Sequence, residues 1–347
     1  MQGQSDILSS LQEVTQEILG LDTFEKLLSD GVSINHYIGF EISGLVHLGT
    51  GLMTGIVVKR LQDLGINTSF YLADWHSWIN DKLGGDREFI SKVSREYFQK
   101  AMLVSAKIAG ADQSKIKIVE GSALYHNNDR YWQTMVELSK NLTLSRVIKS
   151  TAIMGRTESA SMPFAFMLYP PMQCSDIFEM EAHIAHAGMD QRKIHVIARE
   201  VAEKLSIHPL LDADGNKLKP IAIHHRLLLG LQKPSSWPLP DGEEKDVIRT
   251  QMKMSKSVKG SAIFIQDSEL EIREKLKAAF CPEKETSYNP VIDWAEHLKS
   301  DFANGLLHPV DLKNAMAEAL IELLAPAREA FKNDGDLIEK IKEMQSR

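Results

Sequence analysis

The first two thirds of the chain alternate between short apolar runs and amphipathic stretches. Residues 34–42 (INHYIGFEI) predict a strand, a break follows at 43–44, and a helical run extends over 47–64 until Gly65, which is suited to end it. Residues 67–76 (NTSFYLADWH) predict the next strand. Strand, helix and strand form a right-handed βαβ unit, so both strands belong to a parallel sheet.

Further apolar runs predict additional strands of the same sheet. These runs are KIKIVEG (115–121), MEAHIAHAG (180–188) and KPIAIHH (219–225). Helical patterns separate them, including the one that starts at Asp190, and residues 122–168 have the period of an inserted helical element. The pattern predicts an α/β fold, with a doubly wound, Rossmann-like catalytic domain over residues 1–260.

The last part of the chain has a different pattern. Residues 268–280 and 311–325 carry apolar positions at helical spacing, and no run there is typical of a central strand. We therefore expect a small, all-helical C-terminal domain over residues 261–347.

Composition narrows the class of protein. The 347 residues are 43% hydrophobic and 25% charged, as in ordinary globular proteins, and the net charge of −7 argues against a protein that coats nucleic acid indiscriminately. The two cysteines, Cys174 and Cys281, lack neighbours at ligand spacing, so we expect neither a disulfide framework nor a structural metal. The N-terminus lacks the pattern of a signal peptide, and no apolar run is long enough to span a membrane. A cytoplasmic protein is expected.

Two short stretches indicate chemistry. The stretch GFEISGLVHLGT places His47 and Gly49 between a predicted strand and the start of a predicted helix. Helix N-termini at this edge of a parallel sheet favour the binding of phosphate. QMKMSKSVKG places Lys253, Lys256 and Lys259 in one loop. Taken singly, the histidine fits an ordinary helix cap and the lysines a solvated loop.

Together the two stretches resemble the HIGH and KMSKS motifs of class I aminoacyl-tRNA synthetases. The resemblance implies that His47, Lys253 and Lys256 are catalytic and stabilise the charge that builds on the phosphates of ATP. It assigns the ATP site to Gly39, His47, Gly49, Thr50, Asp190, Lys253, Ser255 and Lys256. Two positions depart from the family pattern, because Thr50 replaces the usual second histidine and Ile42 the usual proline.

Four further stretches resemble tyrosyl-tRNA synthetases of the archaeal and eukaryotic type. They are YIGFE (37–41), LADWHSWIN (72–80), YPPMQCSDIFEM (169–180) and HAGMDQRKIH (186–195). The resemblance implies that Tyr37 and Asp176 bind the phenolic hydroxyl of tyrosine, a group that both donates and accepts a hydrogen bond. It implies a tyrosine site of Tyr37, His76, Tyr169, Gln173, Asp176 and Gln191. The tyrosines fit core positions equally well, and Asp176 a helix cap.

The resemblance also implies contacts with tRNA(Tyr). It assigns Arg192 and Lys193 to the acceptor end, and His308 and Asp311 to the first anticodon base, although the latter pair also has the pattern of a helix start. The segment before His308 is shorter than in the family, so the aromatic residue that stacks on the anticodon is not evident. Phe302 and Trp294 are the nearest candidates, and both lie in runs that predict burial.

The expected function is therefore that of a tyrosine–tRNA ligase. Such an enzyme uses ATP, which brings Mg²⁺ with it, and the resemblance further implies a homodimer. Three alternatives stay open at this point: a tryptophanyl enzyme of the same class, an HxGH-type nucleotidylyltransferase, and a binding protein that has lost catalysis. An indole N–H needs only an acceptor, so the pairing of Asp176 with Tyr37 favours the phenol.

Overall fold

A computed structural model of the chain describes residues 2–151, 162–234, 237, 248, 251–256, 258 and 260–345. Within these residues, six strands form one sheet in the order β1-β6-β5-β2-β3-β4, with β1 antiparallel to β6 and the other pairs parallel. The strands are β1 (Glu17–Leu19), β2 (Asn35–Glu41), β3 (Asn67–Ala73), β4 (Ile116–Glu120), β5 (Ile184–Gly188) and β6 (Ile221–His225).

Helices connect the strands and make up the described remainder of the chain's regular structure. In the first 226 residues they are α1 (Gln2–Val14), α2 (Leu21–Ser29), α3 (Leu48–Asp63), α4 (Asp74–Ile79), α5 (Arg87–Val93), α6 (Gln99–Ile108), α7 (Gly121–Tyr125), α8 (Asp129–Lys140), α9 (Leu144–Ser150), α10 (Tyr169–Glu179) and α11 (Arg192–Val201). After them come α12 (Glu269–Ala278), α13 (Pro290–Trp294), α14 (Lys299–Ala303), α15 (Pro309–Leu323), α16 (Ala325–Phe331) and α17 (Gly335–Met344).

Most of the predicted elements are confirmed, and the reasons are local. Every residue of β5 and β6 is buried, as expected for central strands of a parallel sheet that is covered on both faces. Gly65 has φ 78°, the left-handed conformation that ends a helix at little cost for glycine. The described part of 122–168 is helical, as predicted. The three-residue strand β1 was not predicted, because so short a run has no detectable period.

The chain divides into two compact units. The first comprises Met1–Ser43, Ile56–Gln99 and Gly110–Arg226, and contains the whole sheet. Its core is apolar and lies around the sheet, with side chains that include Leu11, Phe24, Val57, Leu61, Tyr131, Ile177, Phe178, Ile194 and Val201.

The second unit comprises Gly44–Gly55, Lys100–Ala109 and Leu227–Arg347. This division differs from the predicted domain boundary at residue 260. The physical reason is that the backbone near Leu231 is hydrogen-bonded to later residues: Leu231 N–H donates to Ser261 O over 2.9 Å, and Phe280 N–H donates to Leu231 O over 2.8 Å. Residues 251–256 belong with them because Met254 N–H donates to Leu228 O over 2.7 Å. Within the unit, α12 packs against α15, where Arg273 and Glu318 form an ion pair of 2.9 Å.

Neither a metal site nor a membrane span is found in the described residues. None of their helices is both long and apolar enough to cross a membrane. No three His, Cys, Asp or Glu side chains among them are grouped as metal ligands would be.

A row of buried histidines crosses the sheet of the first unit. His36 Nε2 on β2 lies 3.1 Å from His186 Nδ1 on β5, and His186 Nε2 lies 2.8 Å from His225 Nδ1 on β6. All three side chains are nearly inaccessible to solvent, so a proton added to the row would sit in a medium that solvates charge poorly. Burial accordingly holds the pKa of His36 at about 3 and that of His225 at about 4.

We expect the free energy of unfolding to fall as the pH is lowered from about 6.5 to about 4. An unfolded histidine takes up its proton near pH 6.5, whereas these folded histidines take theirs up only at lower pH. Between the two pKa values the unfolded state binds more protons, which costs about 1.4 kcal/mol per pH unit for each histidine. Burial raises the pKa of Asp176 to about 8, which opposes the trend by one proton only.

The measurement is chemical denaturation at pH 7.5, 6 and 5. The variant His186→Gln should have a shallower pH dependence, because it removes one of the buried groups. His297, which is exposed, supplies the control His297→Gln, and this variant should keep the wild-type slope. Unfolding free energies that are equal at pH 7.5 and 5 would contradict the argument.

Candidate active site

A cluster of polar side chains from β2, α4, α10 and the turn after β5 lies in the first unit, and we call this cluster the pocket. Helix α10 starts at Tyr169, with prolines in its first turn, and its spacing sets Gln173 and Asp176 on one face, as predicted. Tyr37 lies on β2 and His76 on α4. The residues predicted to bind tyrosine thus belong to one unit, and Gln173 Nε2 donates to Gln191 Oε1 over 3.3 Å.

Asp176 is the buried end of this pocket. Its side chain has no solvent exposure, and Oδ1 accepts hydrogen bonds from the hydroxyls of Tyr125 (3.0 Å) and Tyr131 (3.1 Å). Oδ2 lies 3.6 Å from Nε2 of His76, which is also buried. Burial raises the pKa of Asp176 to about 8, and the nearby hydroxyls of Tyr125, Tyr131 and Tyr71 act against that rise.

Three polar atoms of the pocket have no hydrogen-bond partner among the described residues. They are Asp176 Oδ2, His76 Nε2 and Gln173 Oε1, all of them inaccessible to solvent. A buried polar atom without a partner costs about 1–3 kcal/mol, so three of them in one pocket indicate a polar ligand that satisfies them. Burial lowers the pKa of His76 to about 3, so this imidazole is neutral.

The other end of the pocket carries a carboxylate that sequence reasoning missed. Glu41, the last residue of β2, accepts hydrogen bonds through Oε1 from the Tyr169 hydroxyl (2.9 Å) and from Asn80 Nδ2 (2.8 Å). Lys82 lies 3.5 Å from its other oxygen. The signal was present in the sequence, because Glu41 ends the YIGFE stretch at the carboxyl end of a parallel strand, where ligands gather.

Gly39 lies between Tyr37 and Glu41 on β2. It is exposed in an otherwise largely buried strand, which suits its predicted place beneath a nucleotide. A Cβ at this position would lie 2.6 Å from the Tyr37 hydroxyl oxygen, too close for any side chain. The absence of a side chain therefore also makes room for Tyr37. Asp190, predicted to contact the ribose, lies in the turn of Met189–Gln191 before α11.

His47 lies in the second unit, immediately before α3. Its backbone is held by Phe264 across an isolated bridge, and the neighbouring Leu48 N–H donates to Ile263 O over 3.0 Å. Thr50 contacts the ring twice: its N–H donates to Nδ1 (3.3 Å), and its hydroxyl lies 3.3 Å from Nε2. Thr50 thus occupies a place beside the imidazole, although its side chain is shorter than the histidine of the family pattern.

The turn before His47 is shaped by glycine. Gly44 has φ 123°, and the Leu45 N–H donates to Oε1 of Gln345 over 3.0 Å, a residue 300 positions later in the chain. Gly49 is equally constrained, since a Cβ there would lie 3.2 Å from the imidazole of His47 and 3.7 Å from Cβ of Met254.

Lys253 and Lys256 lie close enough to His47 to lower the pKa of its imidazole. Burial first, then the positive charges of Lys256 and Lys253, lower the pKa of His47 to about 3. A neutral imidazole flanked by two ammonium groups suits a site for an anion. The loop is anchored by the bridge of Lys253 with Leu229 and by Ser255 N–H, which donates to Ser261 Oγ over 3.4 Å. Positions 257 and 259 lie outside the described residues.

The predicted tRNA-binding residues differ in their surroundings. Lys193 is exposed, whereas Arg192 donates two hydrogen bonds to Glu17, of 2.8 and 2.9 Å. His308 and Asp311 are both exposed at the start of α15, where His308 Nδ1 accepts from Val310 N–H over 3.2 Å.

Neither candidate for the missing anticodon stacker is an exposed side chain. Phe302 is completely buried. Trp294 is partly buried, and its Nε1–H donates to Leu229 O over 3.1 Å. The predicted burial of Phe302 is confirmed.

Comparison with known proteins identifies the protein family to which the chain is similar. The family model described as "tRNA synthetases class I (W and Y)" matches residues 30–291. A tyrosine–tRNA ligase of Thermococcus sibiricus is 51% identical over 360 aligned positions, which cover 95% of this chain and 96% of that protein. One of Pyrococcus abyssi is 50% identical over 364 positions, covering 96% of each.

A solved structure agrees with the fold as well as with the sequence. The crystal structure of tyrosyl-tRNA synthetase from Pyrococcus horikoshii, complexed with L-tyrosine, has a TM-score of 0.93 to this chain at 48% identity. The match covers 97% of this chain and 99% of that one. The predicted Rossmann-like fold with C-terminal helices is confirmed, and the chain belongs to the class I tRNA synthetases of the tryptophan and tyrosine family.

Proposed function

We propose that the chain is an ATP-dependent tyrosine–tRNA ligase. It joins L-tyrosine to ATP, giving tyrosyl-adenylate and pyrophosphate, and then transfers the tyrosyl group to the 3′ end of tRNA(Tyr). The observation that carries the proposal is the buried, unpartnered Oδ2 of Asp176 beside Nε2 of His76. The relatives named as tyrosine–tRNA ligases support it over nearly their whole length.

Asp176 and His76 favour the phenol ring of tyrosine over the benzene ring of phenylalanine. A phenolic hydroxyl can donate its hydrogen to Asp176 Oδ2 and accept one from His76, in the tautomer that carries its hydrogen on Nε2. Phenylalanine would close the pocket and leave both atoms unpaired, at a cost of about 1–3 kcal/mol for each. Tryptophan has a donor only, so it would satisfy the carboxylate and leave the imidazole without its acceptor.

The amino end of the substrate faces residues with complementary charge. The unpartnered Oε1 of Gln173 is an acceptor, and an ammonium group is a donor only. Glu41 supplies a negative charge beside the Tyr169 hydroxyl, so the ammonium is attracted to this side. Tyr169, Gln173 and Gln191 are thus proposed to hold the ammonium while the carboxylate of the substrate is left to react.

The adenylation step is a displacement at phosphorus. A carboxylate oxygen of tyrosine forms a bond to the α-phosphorus of ATP, and the bond to the bridging oxygen breaks, so pyrophosphate leaves with the electron pair. His47 is neutral and can donate one N–H, while Lys253 and Lys256 bring positive charge toward the leaving phosphates. Mg²⁺ bound by the phosphates of ATP would neutralise part of the same charge.

Family membership makes the nucleotidylyltransferase alternative wrong. The finer proposals are a homodimer, a cytoplasmic location, recognition of the acceptor end by Arg192 and Lys193, and recognition of the first anticodon base by His308 and Asp311. The last pair is supported by its exposure at a helix start, where a carboxylate can accept from a guanine edge. In this proposal 1–260 is the catalytic domain and 261–347 binds the anticodon.

Replacing Asp176 with Ala should lower kcat/KM for tyrosine by about 10- to 150-fold, the value of a hydrogen bond to a charged group. The measurement is tyrosine-dependent exchange of pyrophosphate into ATP, with phenylalanine and tryptophan as competing substrates. Asp336→Ala, at an exposed aspartate of α17, is the control and should retain wild-type exchange. Retention of full tyrosine selectivity by Asp176→Ala would count against the pocket.

Replacing His47 or Lys256 with Ala should lower kcat by at least about tenfold and change the KM for tyrosine little, because their contacts strengthen only as charge develops on the phosphates. Lys259→Ala, in the same basic stretch of sequence, serves as the control. If His47→Ala keeps kcat within about twofold, the residue only shapes the start of α3. An equal effect from Lys259→Ala would show that loop charge alone matters.

Charging should depend less on the first anticodon base than on the first acceptor pair. His308 and Asp311 can read a base edge, but Phe302 and Trp294 do not offer the open aromatic face that holds an unpaired base, worth about 1–3 kcal/mol. The measurement is aminoacylation of tRNA transcripts changed at either position, at two salt concentrations. A larger loss from the anticodon change than from the acceptor change would contradict this expectation.

A further inference from the structure

The carboxylate at the pocket floor is held from behind by tyrosines that play no part in the family motifs. Tyr125, at the end of α7, and Tyr131, in α8, both donate to Oδ1 of Asp176, over 3.0 and 3.1 Å. The hydroxyl of Tyr71, on β3, is hydrogen-bonded in turn to the hydroxyl of Tyr125. All three side chains are buried.

The directions of these hydrogen bonds follow from the number of hydrogens. A carboxylate has only lone pairs to offer, so Tyr125 and Tyr131 are the donors in their bonds with Oδ1. The Tyr131 hydroxyl also lies 3.3 Å from Met172 O, a longer contact than its 3.1 Å to Oδ1. The oxygen of Tyr125 is then left as an acceptor, to which the Tyr71 hydroxyl can donate. His76 Nδ1 lies 3.4 Å from the same oxygen, a weak contact that does not fix the tautomer of the imidazole. One oxygen of Asp176 is thereby saturated by the protein, and Oδ2 alone is turned toward the ligand.

We propose that Tyr125 and Tyr131 are positioning and specificity-determining residues, which fix Oδ1 of Asp176 so that Oδ2 meets the hydroxyl of the amino-acid substrate. The inference rests on the proposed tyrosine activation and names two residues that act on it through Asp176. Their rings also pack on one another, with centroids 4.6 Å apart, so the carboxylate has little freedom to turn. A carboxylate without these donors could rotate and present either oxygen.

The two hydroxyls also stabilise the charge of Asp176. They lower its pKa, against the larger effect of burial that raises it to about 8. Several other titratable groups face or influence this carboxylate, and Asp74 among them raises its pKa further. The others are His76 from α4, Tyr37 from β2, Tyr71 from β3, and Tyr169 and Cys174 from α10 itself. Loss of a donor therefore moves the ionisation of Asp176 to higher pH.

Selectivity follows from the same charge. An ionised carboxylate that phenylalanine leaves unpaired costs more than a neutral carboxyl group does. Above its pKa of about 8, where Asp176 is ionised and its orientation is fixed, the missing hydroxyl of phenylalanine is penalised fully. When a donor is lost, tyrosine binds less well and phenylalanine loses less by comparison, so discrimination between them narrows.

The test uses Tyr125→Phe and Tyr131→Phe, which delete the hydroxyls and keep the rings. Pyrophosphate exchange is measured with tyrosine and with phenylalanine from pH 6.5 to 9.5. We expect kcat/KM for tyrosine to fall about 10- to 100-fold, mainly through KM, and the ratio of tyrosine to phenylalanine to fall by about tenfold or more. The pH midpoint of kcat/KM for tyrosine should move upward in both variants.

The matched control is Tyr97→Phe, which removes the hydroxyl of another buried tyrosine of the first unit. It should keep the wild-type pH midpoint and discrimination. Tyr71→Phe removes only the outer donor, so it should shift both quantities in the same direction but less. Thermal denaturation of each variant shows whether a loss of exchange reflects unfolding, and Tyr131→Phe alone suffices if Tyr125→Phe does not fold.

The two proposals fail in distinguishable ways. Wild-type protein without tyrosine-dependent exchange would overturn the proposed function. Active wild-type protein whose Tyr125→Phe and Tyr131→Phe variants keep the pH midpoint and the selectivity for tyrosine would overturn the positioning role alone. A fall in kcat with unchanged selectivity would assign these hydroxyls to stability, which also overturns it.

Discussion

The pocket depends on one costly arrangement, a carboxylate with no access to water. Asp176 must be compensated by the protein, and its hydrogen-bond donors come from α7 and α8, while His76 comes from α4. A buried charge is tolerated only when such groups are in place before the ligand arrives. The packing of α8 against α10 therefore holds the hydrogen-bond donors of Asp176 in place as well as filling the core, and the helical segment after β4 contributes to the surroundings of Asp176.

His76 in the first unit and His47 in the second are both neutral, but for partly different reasons. His76 is neutral because it is buried, and it turns one nitrogen toward the pocket. His47 is neutral because it is buried and because two lysines lie near it, so the positive charge of that site resides on the lysines. A neutral imidazole can donate a hydrogen bond to an anion but carries no charge to neutralise it. In this site His47 would therefore supply a hydrogen bond, and the two lysines would supply the positive charge.

The local parts of this structure were predictable, and the long-range parts were not. Strands such as β5 and β6 and helices such as α15 follow from runs whose period is visible in the sequence. The approach of Tyr125 and Tyr131 to Asp176 spans 51 and 45 positions, and no pattern within either segment reveals it. Motif resemblance supplied the residues that are proposed to contact the ligand, but not the residues that hold those side chains in place. The pairing of the loop around Lys253 with 228–230 is likewise not visible in the sequence.

Arg192 and Lys193, which are both proposed to contact the acceptor end of tRNA, differ in their interactions within the protein. Lys193 is exposed, whereas Arg192 is held by two hydrogen bonds to Glu17, and the guanidinium lowers the pKa of that carboxyl, so the pair is charged at neutral pH. Glu17 also accepts from His224 at 3.0 Å, which ties the short strand β1 to β6. A phosphate that recruits Arg192 must displace a carboxylate that is already bidentate, and it then leaves Glu17 beside His224 alone. Lys193 requires no such exchange. Binding a phosphate therefore costs Arg192 its two hydrogen bonds to Glu17, whereas Lys193 has no such cost. The motif alone does not reveal this difference.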